Sequence, residues 1–384
     1  MRSVVSPKNV SPDSDLVIRK TMIKVPKPAL LLSFSLLVAL ATCLLCEGLS
    51  SSFFVIREAI TGKELAERVH TQYDEELGWV NIPNLYVKDM YGPGKYVKTN
   101  SQSFRNDRDF SASVPNDKLR IICSGDSFTF GYGVDNAHTW CQLIESLNQQ
   151  LETVNMGQGG YGIDQSYLWY KRDGTKLEHD IHLFTFITDD FVRMQSNRFL
   201  GYGKPVLELQ DGVITITNVP VPQSAFNVPG LIHTLRSLNG LASIRLSQEL
   251  FYQGGPGFPA LNHQAQEVAL GILEDLHQTN QAKHSNLVLV YLPTIDDYTE
   301  NTSDSWRQLL SAEAAKRNWL YIDLIDEFRK VPPQKIGTLF ISEAATEYYG
   351  AAGHYSEEGN AYIANILYQR LAEIPQISDK LQHK

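Results

Sequence analysis

Several features typical of other protein classes are scarce in this sequence. Its 384 residues include only four cysteines, and no Cys/His cluster has the spacing of metal ligands. No glycine-rich loop of the P-loop type is present, so no metal ion or cofactor is predicted. The pI near 5.6 argues against nucleic acid as a main partner. There is no internal repeat, which argues against a solenoid or propeller.

Charge and hydropathy divide the chain near its N-terminus. Residues 1–28 form a basic tail, and residues 29–46 follow as 18 residues without a charge. That length is just enough for a helix to cross a bilayer core. The positive-inside rule predicts a cytoplasmic tail, a transmembrane signal anchor at 29–46 and an extracytoplasmic remainder.

Three other interpretations of the apolar segment stay open. A cleaved signal peptide is less favoured, because the basic lead is long and no small-x-small cleavage site follows the segment. Cys43 and Cys46 suggest a lipoprotein, although Thr42 and Leu45 precede them where small residues are expected. A buried core helix is disfavoured by the basic flank.

The rest of the chain contains two further regions. Residues 47–117 are predicted to form a linker and a loop-rich wrapping segment, because proline, glycine and asparagine are frequent there. From residue 118 to 375, short apolar runs alternate with helical periodicity, which is typical of a parallel sheet covered on both faces. The predicted strands are 119–123, 154–156, 182–187, 286–292 and 320–324, and the predicted helices are 136–151, 165–176, 262–280, 304–317 and 357–373.

One insertion, at about 196–260, interrupts this alternation. Two alternating runs flank Asp211-Gly212, which predicts a β-hairpin over 205–217. A helix is predicted at 231–250. The insertion is interpreted either as a lid over the site or as a peripheral decoration.

The segment Gly125-Asp126-Ser127 directly follows the first predicted strand. Nucleophilic serines often lie at such strand-to-helix turns, where the hydroxyl projects from a rigid edge close to backbone N–H groups. The alternative is that Ser127 only caps the next helix. Ligands of such sheets bind at the carboxyl ends of the strands, where Ser127 is expected.

With its later motifs, the chain resembles the SGNH/GDSL superfamily of serine esterases and acyltransferases, in its membrane-anchored bacterial type. Besides Gly125-Asp126-Ser127, the resemblance is carried by the segment 155–162, which follows the second strand, by His354 before the last helix, and by upstream motifs at 73–84 and 99–106. It implies a flavodoxin-like α/β/α sandwich with a central parallel five-stranded sheet, preceded by one transmembrane helix.

The resemblance also implies roles for particular residues. Ser127 would be the nucleophile and His354 the general base. The backbone N–H groups of Ser127 and Gly160 would line the oxyanion hole, and a residue without Cβ at 160 would let that N–H approach the reacting carbonyl. The alternative for the segment 155–162 is a glycine-rich turn without a chemical role.

Two positions depart from the family pattern. Asp189 stands where the family has the oxyanion-hole asparagine, and its carboxylate would contribute only if protonated, unless Thr188 or another donor replaces it. Ala351 stands where the family has the triad aspartate. The expected site is therefore a Ser127–His354 dyad, unless Glu343, Glu347 or a backbone carbonyl orients the imidazole.

The predicted function is that of a membrane-anchored extracytoplasmic esterase acting on O-acyl esters of a saccharide or lipid through an acyl-enzyme. The alternatives are O-acyl transfer in cell-surface polysaccharide modification and a catalytically impaired binding module. The expected partners are a small-molecule or glycan ester and the membrane, through the N-terminal helix, and no cofactor.

Overall fold

A computed structural model of the protein describes residues 27–61, 69–199, 202–222, 243, 262–346 and 348–383. The predicted helix at 231–250 lies outside the described residues, apart from residue 243.

The chain begins with an apolar helix, α1 (Lys27–Thr61). Its most apolar part runs from Leu31 to Phe53, 23 residues, and the leucines of that stretch are exposed. The exposed leucines disfavour a core helix, and by length and composition the helix is suited either to anchor the chain in a membrane or to act as a signal sequence.

The predicted wrapping segment has more regular structure than its composition suggested. It contains two short antiparallel ladders because Gly78 and Gly94 adopt left-handed backbone conformations that let the chain turn back on itself. The four strands are β1 (Thr71–Asp74), β2 (Gly78–Asn81), β3 (Tyr86–Val87) and β4 (Val97–Lys98).

A five-stranded parallel sheet forms the centre of the domain, as predicted. Its strands are β5 (Leu119–Gly125), β6 (Leu151–Gly157), β7 (Ile181–Phe186), β12 (Asn286–Tyr291) and β13 (Leu320–Asp323). Counted along the chain, their spatial order is 2-1-3-4-5, the flavodoxin-like order, whose ligand site lies where the first and third strands meet.

The insertion contributes the remaining strands and confirms the predicted hairpin. After the short pair β8 (Arg198–Phe199) and β9 (Tyr202–Gly203), the hairpin is formed by β10 (Val206–Gln210) and β11 (Val213–Thr217). Asp211 and Gly212, in the turn, both have positive φ, as the Asp-Gly pair predicted.

Helices cover both faces of the sheet and complete the α/β/α sandwich. One buried cluster joins Ile122 and Phe184 to helices from one side, and a second joins Ile121 and Leu183 to helices from the other, because successive strand residues point to opposite faces. These helices are α2 (Ser127–Phe130), α3 (Trp140–Leu147), α4 (Ile163–Arg172), α5 (Thr188–Arg193), α6 (His263–Ala282), α7 (Asp304–Arg317), α8 (Ile325–Phe328), α9 (Pro333–Leu339), α10 (Glu357–Ala372) and α11 (Pro375–His383).

Two predicted helices are shorter than expected. The region 136–151 divides into a 3₁₀ turn, Asn136–His138, and α3, because Thr139 leaves the helical conformation and caps the helix that follows. The helix predicted at 165–176 ends as α4 at Arg172, and a 3₁₀ turn follows it.

Candidate active site

Ser127 lies just beyond the carboxyl end of β5, the strand that pairs with β6 on one side and with β7 on the other. It is the first residue of the one-turn helix α2, which begins one residue after the end of β5. The helix begins there because the Asp126 carboxylate accepts a hydrogen bond from the Phe128 N–H at 2.9 Å. The cap is therefore Asp126 rather than Ser127, and the serine hydroxyl is left for another contact.

That contact is with His354. The His354 Nε2 lies 2.7 Å from the Ser127 Oγ, although the two residues are 227 positions apart. The histidine sits in a turn that is tied to Ile341 by two backbone hydrogen bonds of 2.8 Å, from Ile341 N to His354 O and from Gly353 N to Ile341 O. This geometry allows the imidazole to take the hydroxyl proton.

No carboxylate supports the other side of the imidazole within the described chain. The His354 Nδ1 is buried and has no hydrogen-bond partner there. Ala351 is fully buried, Glu343 is exposed, and Glu347 lies outside the described residues. Among the described residues, the carbonyls of Ala351 and Ala352 act on the ring but make no hydrogen bond of good geometry to Nδ1, so the tautomer needed for catalysis is held less firmly than in a triad.

The His354 ring carries little positive charge at neutral pH. Burial first, and then the charge of Arg193, lower its pKa to about 4, while the backbone carbonyls of Ala352 and Ala351 act in the opposite direction. The neutral imidazole is the form that accepts a proton, so this environment keeps the base in its active form over a wide pH range.

Two aromatic rings pack against this imidazole. The Phe128 centroid lies 4.6 Å and the Tyr132 centroid 5.2 Å from the His354 centroid, with interplanar angles of 32° and 37°. Both rings come from the nucleophile segment and are almost fully buried. Packing thus restricts the ring orientation that the family aspartate would otherwise set.

The two backbone N–H groups predicted to line the oxyanion hole are available to a ligand. Within the described residues, neither Ser127 N nor Gly160 N donates a hydrogen bond. Gly160 has a φ of +76°, which explains the glycine in a way the sequence did not predict. A Cβ there would also overlap the Phe199 ring, so the insertion contacts the predicted oxyanion-hole loop directly.

Asp189, the third predicted member of the hole, has an exposed side chain. That side chain is 53% exposed, and its carboxylate lies 3.6 Å from the Arg193 Nη2. The neighbouring Thr188 hydroxyl is buried 2.8 Å from the Tyr291 hydroxyl, which makes it a weaker substitute donor. The role of Asp189 in the hole stays a prediction, and a carboxylate there would not favour an oxyanion.

Sequence reasoning missed several residues that hold the site together. Arg105 is fully buried and donates to the carbonyls of Phe130, Gly131 and Val134, which fixes the chain beyond the nucleophile. Trp79 donates through Nε1 to the Gly159 carbonyl at 2.9 Å. Both belong to the upstream motifs, but these motifs alone did not indicate what either side chain contacts.

A charged cluster beside the serine was also missed. The Arg193 Nη1 lies 2.7 Å from the Asp190 Oδ1 and 3.1 Å from the Asp126 Oδ2. Burial raises the pKa of both carboxyl groups, and most strongly that of Asp190. Lys204, from the insertion, is buried and donates to the Arg193 carbonyl at 2.6 Å while pairing with Asp164 at 2.7 Å.

No grouping of His, Cys, Asp and Glu suited to a metal ion occurs among the residues that the structure describes.

In comparisons with known proteins, no family model and no curated protein matches the chain. Solved structures do match. A lipolytic G-D-S-L family protein from Veillonella parvula DSM 2008 is 16% identical over 66% of this chain and 100% of its own, with a TM-score of 0.37. A lipase/acylhydrolase from Enterococcus faecalis is 11% identical over 66% of this chain and 96% of its own, with a TM-score of 0.37.

A third match is a variant of an acetyl-xylooligosaccharide esterase from Geobacillus Stearmophilus, 14% identical over 66% of this chain and 93% of its own, with a TM-score of 0.39. These values are too low to transfer a substrate or a residue role. The chain itself resembles the SGNH/GDSL hydrolases in sheet order, motif order and serine–histidine contact.

Proposed function

We propose that the protein is a membrane-anchored serine esterase of the SGNH type that hydrolyses O-acyl esters of a saccharide or lipid. The observation that carries the proposal is the 2.7 Å contact between the Ser127 Oγ and the His354 Nε2, beside two backbone N–H groups without partners in the described chain. This is the arrangement that an acyl-enzyme mechanism requires. O-acetyl esters are the first substrates to test.

The proposed reaction has two steps. The Ser127 Oγ attacks the ester carbonyl as the His354 Nε2 takes its proton, and the N–H groups of Ser127 and Gly160 bind the resulting oxyanion. The intermediate expels the alcohol, which receives the proton from His354, and leaves an acyl-serine. Water repeats the sequence and releases the acid.

We further propose that α1 is an uncleaved anchor and that the domain is extracytoplasmic. The 23-residue apolar stretch, its exposed side chains and its basic flank support this placement. Membrane fractionation followed by protease treatment of intact cells tests it. A domain that is protected from protease in intact cells, or recovered in soluble form without α1, contradicts it.

The activity is tested with the full chain in detergent, on short p-nitrophenyl esters. The parent is expected to be active, and Ser127→Ala and His354→Ala are each expected to lose at least about a thousandfold in kcat. Labelling of Ser127 by a serine-directed phosphonate is the independent readout. A folded parent that neither turns over nor becomes labelled contradicts the proposal.

The second candidate is a binding module that has lost turnover. Two observations favour it. The His354 Nδ1 has no hydrogen-bond partner in the described chain, which weakens the dyad, and Asp189 supplies a carboxylate where the hole needs a donor. An unlabelled Ser127 together with saturable binding of an acylated glycan would support it. Acyl transfer rather than hydrolysis would appear as ester formation on an added sugar acceptor.

A further inference from the structure

We propose that Arg193 supplies the third donor of the oxyanion hole, through its Nη2, in place of the side-chain amide that Asp189 lacks. This inference rests on the proposed esterase function. It assigns a catalytic role to a residue outside the motifs that the sequence indicated.

Besides its 2.7 Å ion pair with Asp190, the guanidinium makes three contacts to residues in or next to the predicted hole. Its Nη1 lies 3.1 Å from the Asp126 carboxylate and 3.3 Å from the Tyr161 carbonyl, and its Nη2 lies 3.6 Å from the Asp189 carboxylate. Asp126 precedes Ser127 and Tyr161 follows Gly160 in the chain. The guanidinium therefore reaches the residue next to Ser127, the residue next to Gly160, and the side chain of Asp189 itself.

The two terminal nitrogens of Arg193 differ in how much of their hydrogen-bonding capacity is already used. Nη1 is occupied by Asp126, Asp190 and Tyr161, which lock the group in place. In the part of the chain that the structure describes, Nη2 makes no hydrogen bond, since its nearest acceptor, Asp189, lies beyond hydrogen-bonding distance. The side chain is 16% exposed, so Nη2 can meet a substrate oxygen in a mostly water-excluded site.

Phe199 connects this guanidinium to the oxyanion loop. The Arg193 Cζ lies 5.2 Å from the Phe199 ring centroid, and the same ring contacts the face of Gly160 where a Cβ would be. One ring thus borders both the backbone donor and the proposed side-chain donor. The Phe199 ring therefore couples the position of the guanidinium to that of the loop around Gly160.

The guanidinium of Arg193 stays charged in this buried cluster. Burial lowers the pKa of Arg193, but the charges of Asp190, Asp126 and Asp189 outweigh it and raise that pKa above its ordinary value. The charge of Arg193 also lowers the pKa of His354, which places the guanidinium within electrostatic reach of the dyad. An oxyanion forming beside Ser127 would experience the same field.

In the reaction, the hydroxyl proton of Ser127 passes to His354 as the Oγ–carbon bond forms, and the carbonyl electron pair becomes the oxyanion. The Nη2–H donates to that oxygen and keeps its own proton. When the carbon–oxygen double bond reforms and the alcohol leaves with the proton from His354, the Arg193 hydrogen bond weakens again. Arg193 therefore contributes mainly to kcat rather than to ground-state binding.

The test compares Arg193→Met with Arg307→Met. Arg307 is a matched control because it also bridges three carboxylates, those of Asp304, Asp323 and Asp326, but on α7. Arg193→Met is expected to lose about a hundredfold or more in kcat with little change in KM, whereas Arg307→Met keeps its kcat. Added guanidinium ion and the variant Arg193→Lys should each restore part of the loss.

The double variant Asp189→Asn/Arg193→Met distinguishes a catalytic role of Arg193 from a purely structural one. Asp189 is exposed, so the asparagine is easily accommodated, and it returns the family's donor. We expect kcat to rise at least tenfold above that of Arg193→Met. A parent without activity overturns the esterase function and this inference with it. If the parent is active, two results would overturn the Arg193 role alone. One is that Arg193→Met keeps its kcat. The other is that neither added guanidinium, nor Arg193→Lys, nor Asp189→Asn restores the lost activity.

Discussion

The serine and the histidine of the proposed dyad are held by different kinds of contact. The segment after Ser127 is fixed by hydrogen bonds from buried Arg105 to three backbone carbonyls, with Asp126 capping the helix. The ring of His354 is instead packed against Phe128 and Tyr132, and its Nδ1 makes no hydrogen bond of good geometry among the described residues. Hydrogen bonds prescribe a direction, whereas packing only restricts one.

The comparison shows how a site can lose one polar support without losing its geometry. The distance between the Ser127 Oγ and the His354 Nε2 stays at 2.7 Å although the triad acid is replaced by Ala351. What changes is the protonation of the imidazole, whose pKa is lowered to about 4 where a carboxylate would raise it. The serine side should therefore be sensitive to structural damage and the histidine side to charge.

The largest effect is expected at Arg105. Arg105→Ala leaves three buried carbonyls without their donor, at about 1–3 kcal/mol each, so the free energy of unfolding should fall by at least about 3 kcal/mol and activity should disappear. Urea denaturation measures the loss. Arg108→Ala is the control, because this half-exposed arginine pairs with Glu145 at the surface and should cost at most about 1 kcal/mol. If both variants lost the same free energy of unfolding, the buried contacts of Arg105 would not be what holds the serine segment.

The histidine side is tested by restoring the missing acid with Ala351→Asp. In the parent, the neutral base is lost only as the pH falls through about 4, so kcat/KM should be level from pH 8 to about 5. A carboxylate beside the imidazole favours its protonated form, so the acid limb should move upward by at least about one pH unit and kcat at pH 8 should rise about tenfold.

Ala351→Asn is the matched control for that change, since it has the size of aspartate without the charge. It should leave the acid limb near pH 4. Circular dichroism at each pH confirms that the variants remain folded. A folded Ala351→Asp variant whose acid limb does not move would show that position 351 cannot support the ring.

The smallest effect is expected when one of the two aromatic rings packed against His354 is removed. Tyr132→Leu removes one ring beside His354 and should lower kcat by roughly tenfold or less, since a misplacement of 1 Å can cost up to about a hundredfold. Tyr132→Phe keeps the ring and should keep most of the activity. The acid limb should stay near pH 4 in both. A phenylalanine variant as impaired as the leucine variant would assign the effect to the hydroxyl instead.

Local patterns in the sequence were sufficient for much of this protein. Ser127 could be singled out because it follows a strand whose apolar pattern is visible, whereas Gly160 and His354 were indicated only by the resemblance to the SGNH/GDSL family. The hairpin at Asp211-Gly212 and the apolar segment of α1 depend on neighbouring residues only, and both appear in the structure. The sheet followed as well, because five short apolar runs alternating with helices allow few other arrangements.

Tertiary structure alone decided which side chains complete the site. Four side chains contact loops that are distant from them in the chain: Arg105, Trp79, Phe199 and Arg193. Nothing in their immediate sequence indicates those contacts. The low pKa of His354 has the same origin, since burial and the Arg193 charge arise only when the chain is folded. The sequence by itself determined the order of the elements and where the reactive residues lie on them, because these depend on local propensity. The environment of the reactive groups was decided by folding, because burial and electrostatic fields are set by residues that meet only in three dimensions.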